Sequence, residues 1–247
     1  MTNSSTVDTN QIFLGAATIA RQQLQNARDL SHRKMHQDEY DADLERYGHE
    51  LTLAEANRRL VADAEEIHEF QQIQQLGGTR GSEARQMILD PRWDHDDPHS
   101  KRLIEKNLIE DSPLRNYLEF GQAAQLVYGD TLPTARLWIH WRDYVIGCVP
   151  DGVAPEYVYE FRASTKARAD MGQVEEDAVR QAHLYAYAFK RPKFKVQIAH
   201  FRLPRTPFPL KVRDLPNPEI TTILKNSSEE DFTRIISEFD KAFRGAP

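Results

Sequence analysis

Cysteine is nearly absent from this sequence, since Cys148 is its one cysteine among 247 residues. A single thiol excludes an intramolecular disulfide, a structural zinc site built on cysteines, and an iron–sulfur cluster. It also favours a reducing compartment. We therefore expect an intracellular protein, cytoplasmic or in the nucleoid or nucleus, and not a secreted one.

Long apolar runs and an excess of positive charge are also missing. No stretch of about 18 apolar residues occurs, which predicts no membrane-spanning helix and no membrane partner. Residues 1–10 lack a basic segment followed by an apolar one, so they predict a short disordered tail and not a secretory signal. The net charge of −6 argues against a protein that coats nucleic acid electrostatically, but it leaves room for a local basic groove.

Helical patterns fill the first half of the chain, and we predict a helical region over residues 11–110. Residues 9–30 have few helix breakers, and residues 51–76 repeat apolar residues at helical spacing. Thr52 and Glu55 form the sequence pattern of a capping box, and Gly77 with Gly78 ends that helix. Its charged face is interpreted as solvated surface; the alternative is an arm that binds a protein partner or forms a homo-oligomer.

A second helical zone covers residues 82–89, 100–109 and 113–128. The loop between the first two, residues 93–99, contains several aspartates and histidines. A loop with this composition and a proline is interpreted as a solvated turn, with a metal site as the alternative.

The periodicity changes after Pro133. Short β-rich runs are predicted over residues 135–141, 144–149, 157–163 and 195–203, with one more at 208–212. A helix is predicted over residues 174–189 and a last amphipathic helix over 229–243. The order α-β-β-β-α-β predicts an α/β fold, with a second domain over residues 111–247.

Two carboxylates in this region are the candidate metal ligands. Glu160 and Arg162 share one face of a predicted strand, because side chains alternate along a strand. Asp151 follows the apolar and therefore central strand at 144–149. The simple interpretations are a surface ion pair and a Pro-Asp-Gly turn. The functional interpretation brings Asp151 beside Glu160, on neighbouring strands, as an oxygen-rich site for Mg²⁺ or Mn²⁺.

The helix at 174–189 adds two candidates. Ala178, Gln181, Ala182 and Tyr185 lie on one face at i, i+3, i+4 and i+7. A buried glutamine needs hydrogen-bond partners, so Gln181 is either a boundary residue or, with Tyr185, part of the edge of the site.

These segments together resemble a known family. Gly147–Gly152 (GCVPDG), Val158–Thr165 (VYEFRAST) and Gln181–Ala186 (QAHLYA) are similar to the motifs of the RecB-type and RecE-like exonuclease branch of the PD-(D/E)XK nuclease superfamily. The resemblance covers roughly residues 117–203. It implies a restriction-endonuclease-like core, a metal-activated water as nucleophile, and DNA as the partner.

The resemblance also implies roles for single residues. Asp151 and Glu160 would bind the metal with the main-chain carbonyl of Phe161, while Gln181 and Tyr185 would organise the site. Gln125 stands where the family often has a metal-binding histidine. Arg162 replaces the usual lysine, and unlike lysine it cannot act as a base, although it can still stabilise charge on a phosphate.

Two neighbouring side chains could substitute for the missing groups, Lys166 at the end of the strand and Glu119 on the preceding helix. Basic residues near the site either track a phosphate backbone or form ordinary solvated surface. They are Arg162, Lys166, Arg168, Arg180, Lys190, Arg191, Lys193 and Lys195.

Three hypotheses follow from the sequence. The first is a metal-dependent DNA nuclease, more specifically an exonuclease. The second is a nuclease fold that has lost cleavage and acts as a nucleic-acid-binding or protein-assembly module. The third is a helical scaffold carrying an unrelated sheet, which a wide separation of Asp151 and Glu160 would favour.

Overall fold

The computed structural model describes residues 11–77, 121, 124, 125, 128–166, 168–202 and 217–245. The fold is mixed α/β, with helices toward the N-terminus and two sheets that contain both parallel and antiparallel strand pairs. This confirms the predicted fold class. None of the helices in the described part combines the length and apolar character needed to cross a membrane.

The N-terminal part begins with a strand, β1 (Ile12–Gly15). Four helices follow it, α1 (Ala16–Ala20), α2 (Leu24–Arg28), α3 (Leu30–Tyr47) and α4 (Leu53–Gly77). The prediction of helix over residues 9–30 was therefore wrong at β1. The physical reason is that β1 pairs in parallel with a strand about 130 residues later, a contact that local periodicity does not encode.

The capping box predicted for α4 is present. The Thr52 main-chain nitrogen donates to the Glu55 carboxylate at 2.9 Å, and the Glu55 nitrogen donates to the Thr52 hydroxyl at 3.3 Å. The main-chain N–H groups of Thr52 and Glu55, two of the free donors at the start of the helix, are thereby satisfied.

The first sheet has three strands in the order β1-β3-β2. Strands β2 (Leu137–Trp141) and β3 (Tyr144–Cys148) form an antiparallel hairpin, and β1 pairs in parallel on the other side of β3. The turn uses Arg142 at a φ of 54°. The prediction of a central apolar strand after this turn is confirmed.

The second sheet has four strands in the order β4-β5-β6-β7. They are β4 (Gly152–Val153), β5 (Tyr157–Ser164), β6 (Lys193–His200) and β7 (Glu219–Asn226). A helix, α5 (Met171–Ala188), connects β5 to its parallel neighbour β6, as the predicted order requires. No strand was predicted at β7. The last helix, α6 (Glu229–Gly245), covers the predicted segment.

Strand β5 separates two layers of apolar packing. Val158 belongs to the main core, which also contains Leu14, Ala182 and Phe239 from β1, α5 and α6. Tyr159 and Phe161 point the other way, into a smaller cluster with Ala124, Ala199 and Phe201. Glu160 and Arg162 therefore lie on the side of β5 that faces α5, in agreement with the predicted alternation.

Several predictions fall on residues outside the described ones. They are the helices at 82–89 and 100–109, the loop at 93–99, most of the helix at 113–128 including Glu119, the strand at 208–212 and the domain boundary near residue 110. Residues 121, 124, 125 and 128 are helical, as predicted for the end of the last of these helices.

Candidate active site

Asp151 occupies the bend between β3 and β4. The bend is tight because Gly152 packs against Leu132, where an added Cβ would lie 2.5 Å from the Leu132 Cβ. The Asp151 Oδ2 atom accepts a hydrogen bond of 2.7 Å from the main-chain nitrogen of Phe161. This bond joins the bend to β5 one residue beyond Glu160.

The sequence predicted Asp151 and Glu160 on neighbouring strands of one sheet, and this part of the prediction was wrong. β3 belongs to the three-stranded sheet and β5 to the four-stranded sheet. The bend at Asp151 leads the chain from one sheet into the other. The carboxylate therefore reaches β5 from the entrance of β4, and the two acidic residues are still brought together.

Glu160 is buried, with 1% of its surface exposed. Nη2 of Arg162 lies 2.6 Å from its Oε1 atom. The contact is an ion pair whose angles do not meet a strict hydrogen-bond criterion, but at this distance Arg162 still stabilises the charged form of Glu160.

Arg162 is also held by α5. Its Nη2 atom donates to the side-chain oxygen of Gln181, and the Gln181 amide nitrogen donates to the Tyr185 hydroxyl. Gln181 and Tyr185 are both buried. The amide thus has partners at both ends, and a continuous polar chain runs from Tyr185 through Gln181 and Arg162 to Glu160.

Gln125 contacts the other carboxylate. Its side-chain amide lies near Asp151 and favours the charged form of that carboxyl group, which opposes the rise in its pKa that burial causes. The structure thus places Gln125 at the site, from the helical segment that precedes the first sheet strand of this region.

Burial dominates the electrostatics of both acids. It raises the pKa of Glu160 to about 8, and the nearby Asp151 charge adds to the shift while Arg162 and Arg21 oppose it. Burial also raises the pKa of Asp151, against the hydrogen bond from Phe161 and the charge of Arg162. Two acids whose pKa values are raised by burial beside one cation form the kind of cluster found at functional sites.

Arg21 is a member of this electrostatic cluster that the sequence analysis missed. It lies at the C-terminal end of α1, is exposed to solvent, and interacts electrostatically with Glu160, Arg162 and Asp177. Its side chain is exposed but still loses part of its hydration to the surrounding protein. This partial desolvation, and then the Arg162 charge, lower the pKa of Arg21. No motif marks Arg21, because it comes from a segment about 140 residues away in sequence that only the fold brings near.

The other basic residues mostly contact the protein itself. Arg180 lies 3.1 Å from the Glu238 carboxylate, Arg191 donates to the main-chain oxygen of Ala154 at 2.8 Å, and Lys195 contacts Asp130 at 2.5 Å. These contacts favour a structural role for the three side chains over a phosphate track.

Lys166, proposed from the sequence as a substitute for the missing lysine, has an exposed side chain. Its main-chain oxygen accepts from His200 at 2.9 Å. This contact fixes the backbone after β5, while the ammonium group is left in solvent.

The oxygen donors at the site fit a hard divalent cation in type. Asp151 and Glu160 supply carboxylates, and the Glu160 carboxylate is buried beside the charge of Asp151. Across the described ranges, no group of three or more His, Cys, Asp or Glu side chains is arranged to hold a metal. Mg²⁺ needs no such group, since it keeps several waters and often binds through one or two carboxylates.

Comparison with known proteins adds little to this description. No protein family model matches the chain. No curated protein matches it either. Among solved structures, an alkaline exonuclease from Laribacter hongkongensis aligns with 65% of this chain and 88% of its own, at 13% identity and a TM-score of 0.29. A likeness at that TM-score carries no argument about activity.

Proposed function

We propose that this protein is a metal-dependent nuclease that hydrolyses phosphodiester bonds in DNA at the Asp151–Glu160 site. The observation that carries the proposal is the buried Glu160 carboxylate beside a second acidic residue, Asp151. The motifs around Asp151, Glu160 and Gln181 support it, because the sequence places these residue types in the order that the PD-(D/E)XK family uses.

Asp151, Glu160 and the main-chain carbonyl of Phe161 are the residues that would hold Mg²⁺ or Mn²⁺. When bound, such an ion supplies an electrophile that polarises the phosphodiester and acidifies water. The hydrogen bond from the Phe161 main-chain nitrogen orients the Asp151 carboxylate, and the nearby Gln125 amide favours its charged form. In the same way, Gln181 holds Arg162 beside Glu160 and so keeps one permanent positive charge at the site.

Arg162 has two roles in this proposal. It balances the charge of Glu160 in the absence of a metal, and it offers a guanidinium to the negative charge that develops on a phosphate. Because arginine keeps its proton, it takes no part as a general base.

The same ion pair favours a second candidate function. Arg162 already supplies Glu160 with a counter-charge 2.6 Å away, so the protein can fold around this pair without a metal. In that case the fold would act as a nucleic-acid-binding or protein-assembly module that does not cut DNA.

One experiment separates the two candidates. End-labelled single- and double-stranded DNA is incubated with Mg²⁺ or Mn²⁺ and with the wild type, Asp151→Asn, Glu160→Gln or Glu156→Gln. Glu156 is the matched control, since it is an exposed carboxylate in the loop between β4 and β5. For a nuclease, the first two variants lose more activity than the roughly 10–100-fold expected for an outer-shell partner, and the control does not.

Calorimetry with Mn²⁺ alone provides a readout independent of cleavage. The nuclease proposal expects one binding event that Glu160→Gln abolishes and Glu156→Gln retains. Equal background cleavage in all four proteins, without Mn²⁺ binding, would overturn the nuclease proposal and leave the second candidate.

A further inference from the structure

Strand β7 is an unusual edge strand. In the part of the chain that the structure describes, it pairs with β6 along one edge only. The ladder runs from the pair of Lys193 and Asn226 to the pair of His200 and Glu219. Seven of its eight residues are exposed. An edge strand of this length, without proline, presents a row of main-chain donors and acceptors to another strand.

The exposed face of β7 is also apolar at two positions. Ile220 and Leu224 expose 41% and 59% of their surface. They lie on the same side of the strand, because they are four positions apart and successive side chains alternate between the two faces. Thr222 lies between them on that side. Exposed, β-branched and apolar edge residues of this kind are covered in stable sheets by cross-strand neighbours.

We propose that β7 pairs antiparallel with β7 of a second copy of this chain, so that the two four-stranded sheets join into one of eight strands. This inference goes beyond the proposed nuclease activity and does not depend on it. A two-fold pairing of identical strands is self-complementary, and two-fold symmetry is the commonest symmetry of assemblies of identical chains.

Backbone geometry restricts the possible registers. On β7 the hydrogen-bonding groups of successive residues point alternately to β6 and to the free edge. In an antiparallel ladder, two residues opposite each other either both direct their main-chain N–H and C=O toward the partner strand or both direct them away from it. A pair with one residue of each kind does not occur. The two-fold axis must therefore pass at a residue and not between two residues.

The side chains then select one register. With the axis at Thr222, Glu219 lies opposite the partner's Lys225, and Ile220 lies opposite the partner's Leu224. Opposite charges and apolar pairs directly across a ladder each stabilise it by roughly 0.2–1 kcal/mol. An axis at Thr221 or at Ile223 loses both matches. Arg202, 3.5 Å from Glu219, lies at the end of the ladder and is compatible with this pairing.

Charge reversal tests the interface. Sedimentation across a concentration series should show a dimer for the wild type. Glu219→Lys and Lys225→Glu should each raise its dissociation constant by about tenfold, because two attractive pairs become repulsive. The double variant should return to the wild-type value. A wild type that is monomeric at every concentration would overturn the proposal and leave the edge to some other partner. A dimer whose dissociation constant neither single variant changes would overturn it too.

Cross-linking tests the register. A cysteine at the axis faces its own copy, at a separation that a disulfide spans, so oxidised Thr222→Cys should form a covalent dimer. Asn226→Cys is the matched control, since Asn226 is exposed on the same strand, takes no part in the proposed charge and apolar pairs, and is distant from its copy. Cys148 is buried and does not interfere. Cross-linking of Asn226→Cys instead of Thr222→Cys would overturn the register.

Discussion

A carboxylate that is 1% exposed keeps its charge only when neighbouring groups replace the water it has lost. At Glu160 the replacement is incomplete. Arg162 and Arg21 attract the negative charge, but burial, assisted by the repulsion from Asp151, outweighs them, so that the pKa rises to about 8. Glu160 therefore holds a proton more tightly than an ordinary carboxyl group does.

The first prediction concerns stability and pH in the metal-free protein. Because the folded pKa of Glu160 lies above its ordinary value of 4.5, its contribution to the free energy of unfolding is complete below pH 4.5. That contribution is lost as pH rises through about 8. We expect a loss on the order of a few kcal/mol across this window.

Urea unfolding with a chelator present, repeated across the pH window, measures this loss. For Glu160→Gln, the free energy of unfolding should not show this decrease with rising pH. Glu156→Gln should follow the wild type. Parallel curves for the wild type and Glu160→Gln would show that the buried carboxyl group does not titrate in this range.

The second prediction concerns the identity of the cation at position 162. A lysine keeps the charge but has no planar fork, so it does not hold Glu160 and Gln181 together. Arg162→Lys should therefore keep or raise cleavage and strengthen Mn²⁺ binding, since Glu160 becomes more available. Cleavage rates and Mn²⁺ calorimetry on the same preparation measure both. Loss of cleavage with unchanged Mn²⁺ binding would contradict the role given to Arg162.

At the scale of elements, strands with a clear pattern were predictable and strands without one were not. β3 is apolar throughout and β5 alternates, so both were found. β1 is a four-residue apolar run that joins a helix directly, and a run this short does not distinguish a strand from a buried helix. β7 is exposed on both faces, so its sequence shows no alternation between core and solvent.

The residues of the candidate site divide in the same way, into those that a local sequence motif marks and those that no local signal marks. Asp151, Glu160 and Gln181 were found because each belongs to a local motif, and the structure brings their side chains into one polar cluster. The change of sheet at Asp151 was not predicted, because a Pro-Asp-Gly bend does not specify where the next strand pairs. Arg21 was missed because no local signal connects α1 with β5.

The third prediction tests whether β1 belongs to the core. Leu14 is fully buried and packs in the main cluster. Leu14→Ala should lower the free energy of unfolding by about 2–5 kcal/mol, through lost burial and the cavity left behind. Leu30→Ala is the control, since Leu30 is 76% exposed and should change stability by no more than about 0.5 kcal/mol. Equal effects of the two substitutions in chemical denaturation would remove β1 from the core.

At the scale of the whole molecule, one carboxylate joins the last helix to the first sheet. Asp240 of α6 accepts hydrogen bonds from the Tyr144 hydroxyl at 2.8 Å, from Arg142 at 2.7 Å and from Arg244 at 2.6 Å. Burial raises its pKa, but the hydrogen bonds from Arg244 and Tyr144 outweigh burial and the net pKa is lowered. Its contribution to stability is present above the ordinary value of 3.8 and is lost as pH falls through the folded pKa.

The fourth prediction is the cost of weakening this connection. Asp240→Asn should lower the free energy of unfolding by roughly 1–3 kcal/mol, because the Tyr144 hydroxyl and two guanidinium groups lose a charged acceptor. Glu238→Gln, two residues earlier on α6, should cost at most about 1 kcal/mol, since its ion pairs with Arg180 and Arg234 are more exposed. Thermal or urea unfolding at neutral pH compares the two, and a larger loss in Glu238→Gln would contradict this ranking.

The parallel pairing of β1 with β3 also has a consequence in time. Ile12 pairs with Tyr144, 132 positions later in the chain. At about 5–20 residues per second, a ribosome needs roughly 7 to 26 seconds to make the partner after β1 has been synthesised. During this interval the apolar Ile12, Phe13 and Leu14 have no β3 to pair with, so this segment is open to aggregation until its partner strand has been made.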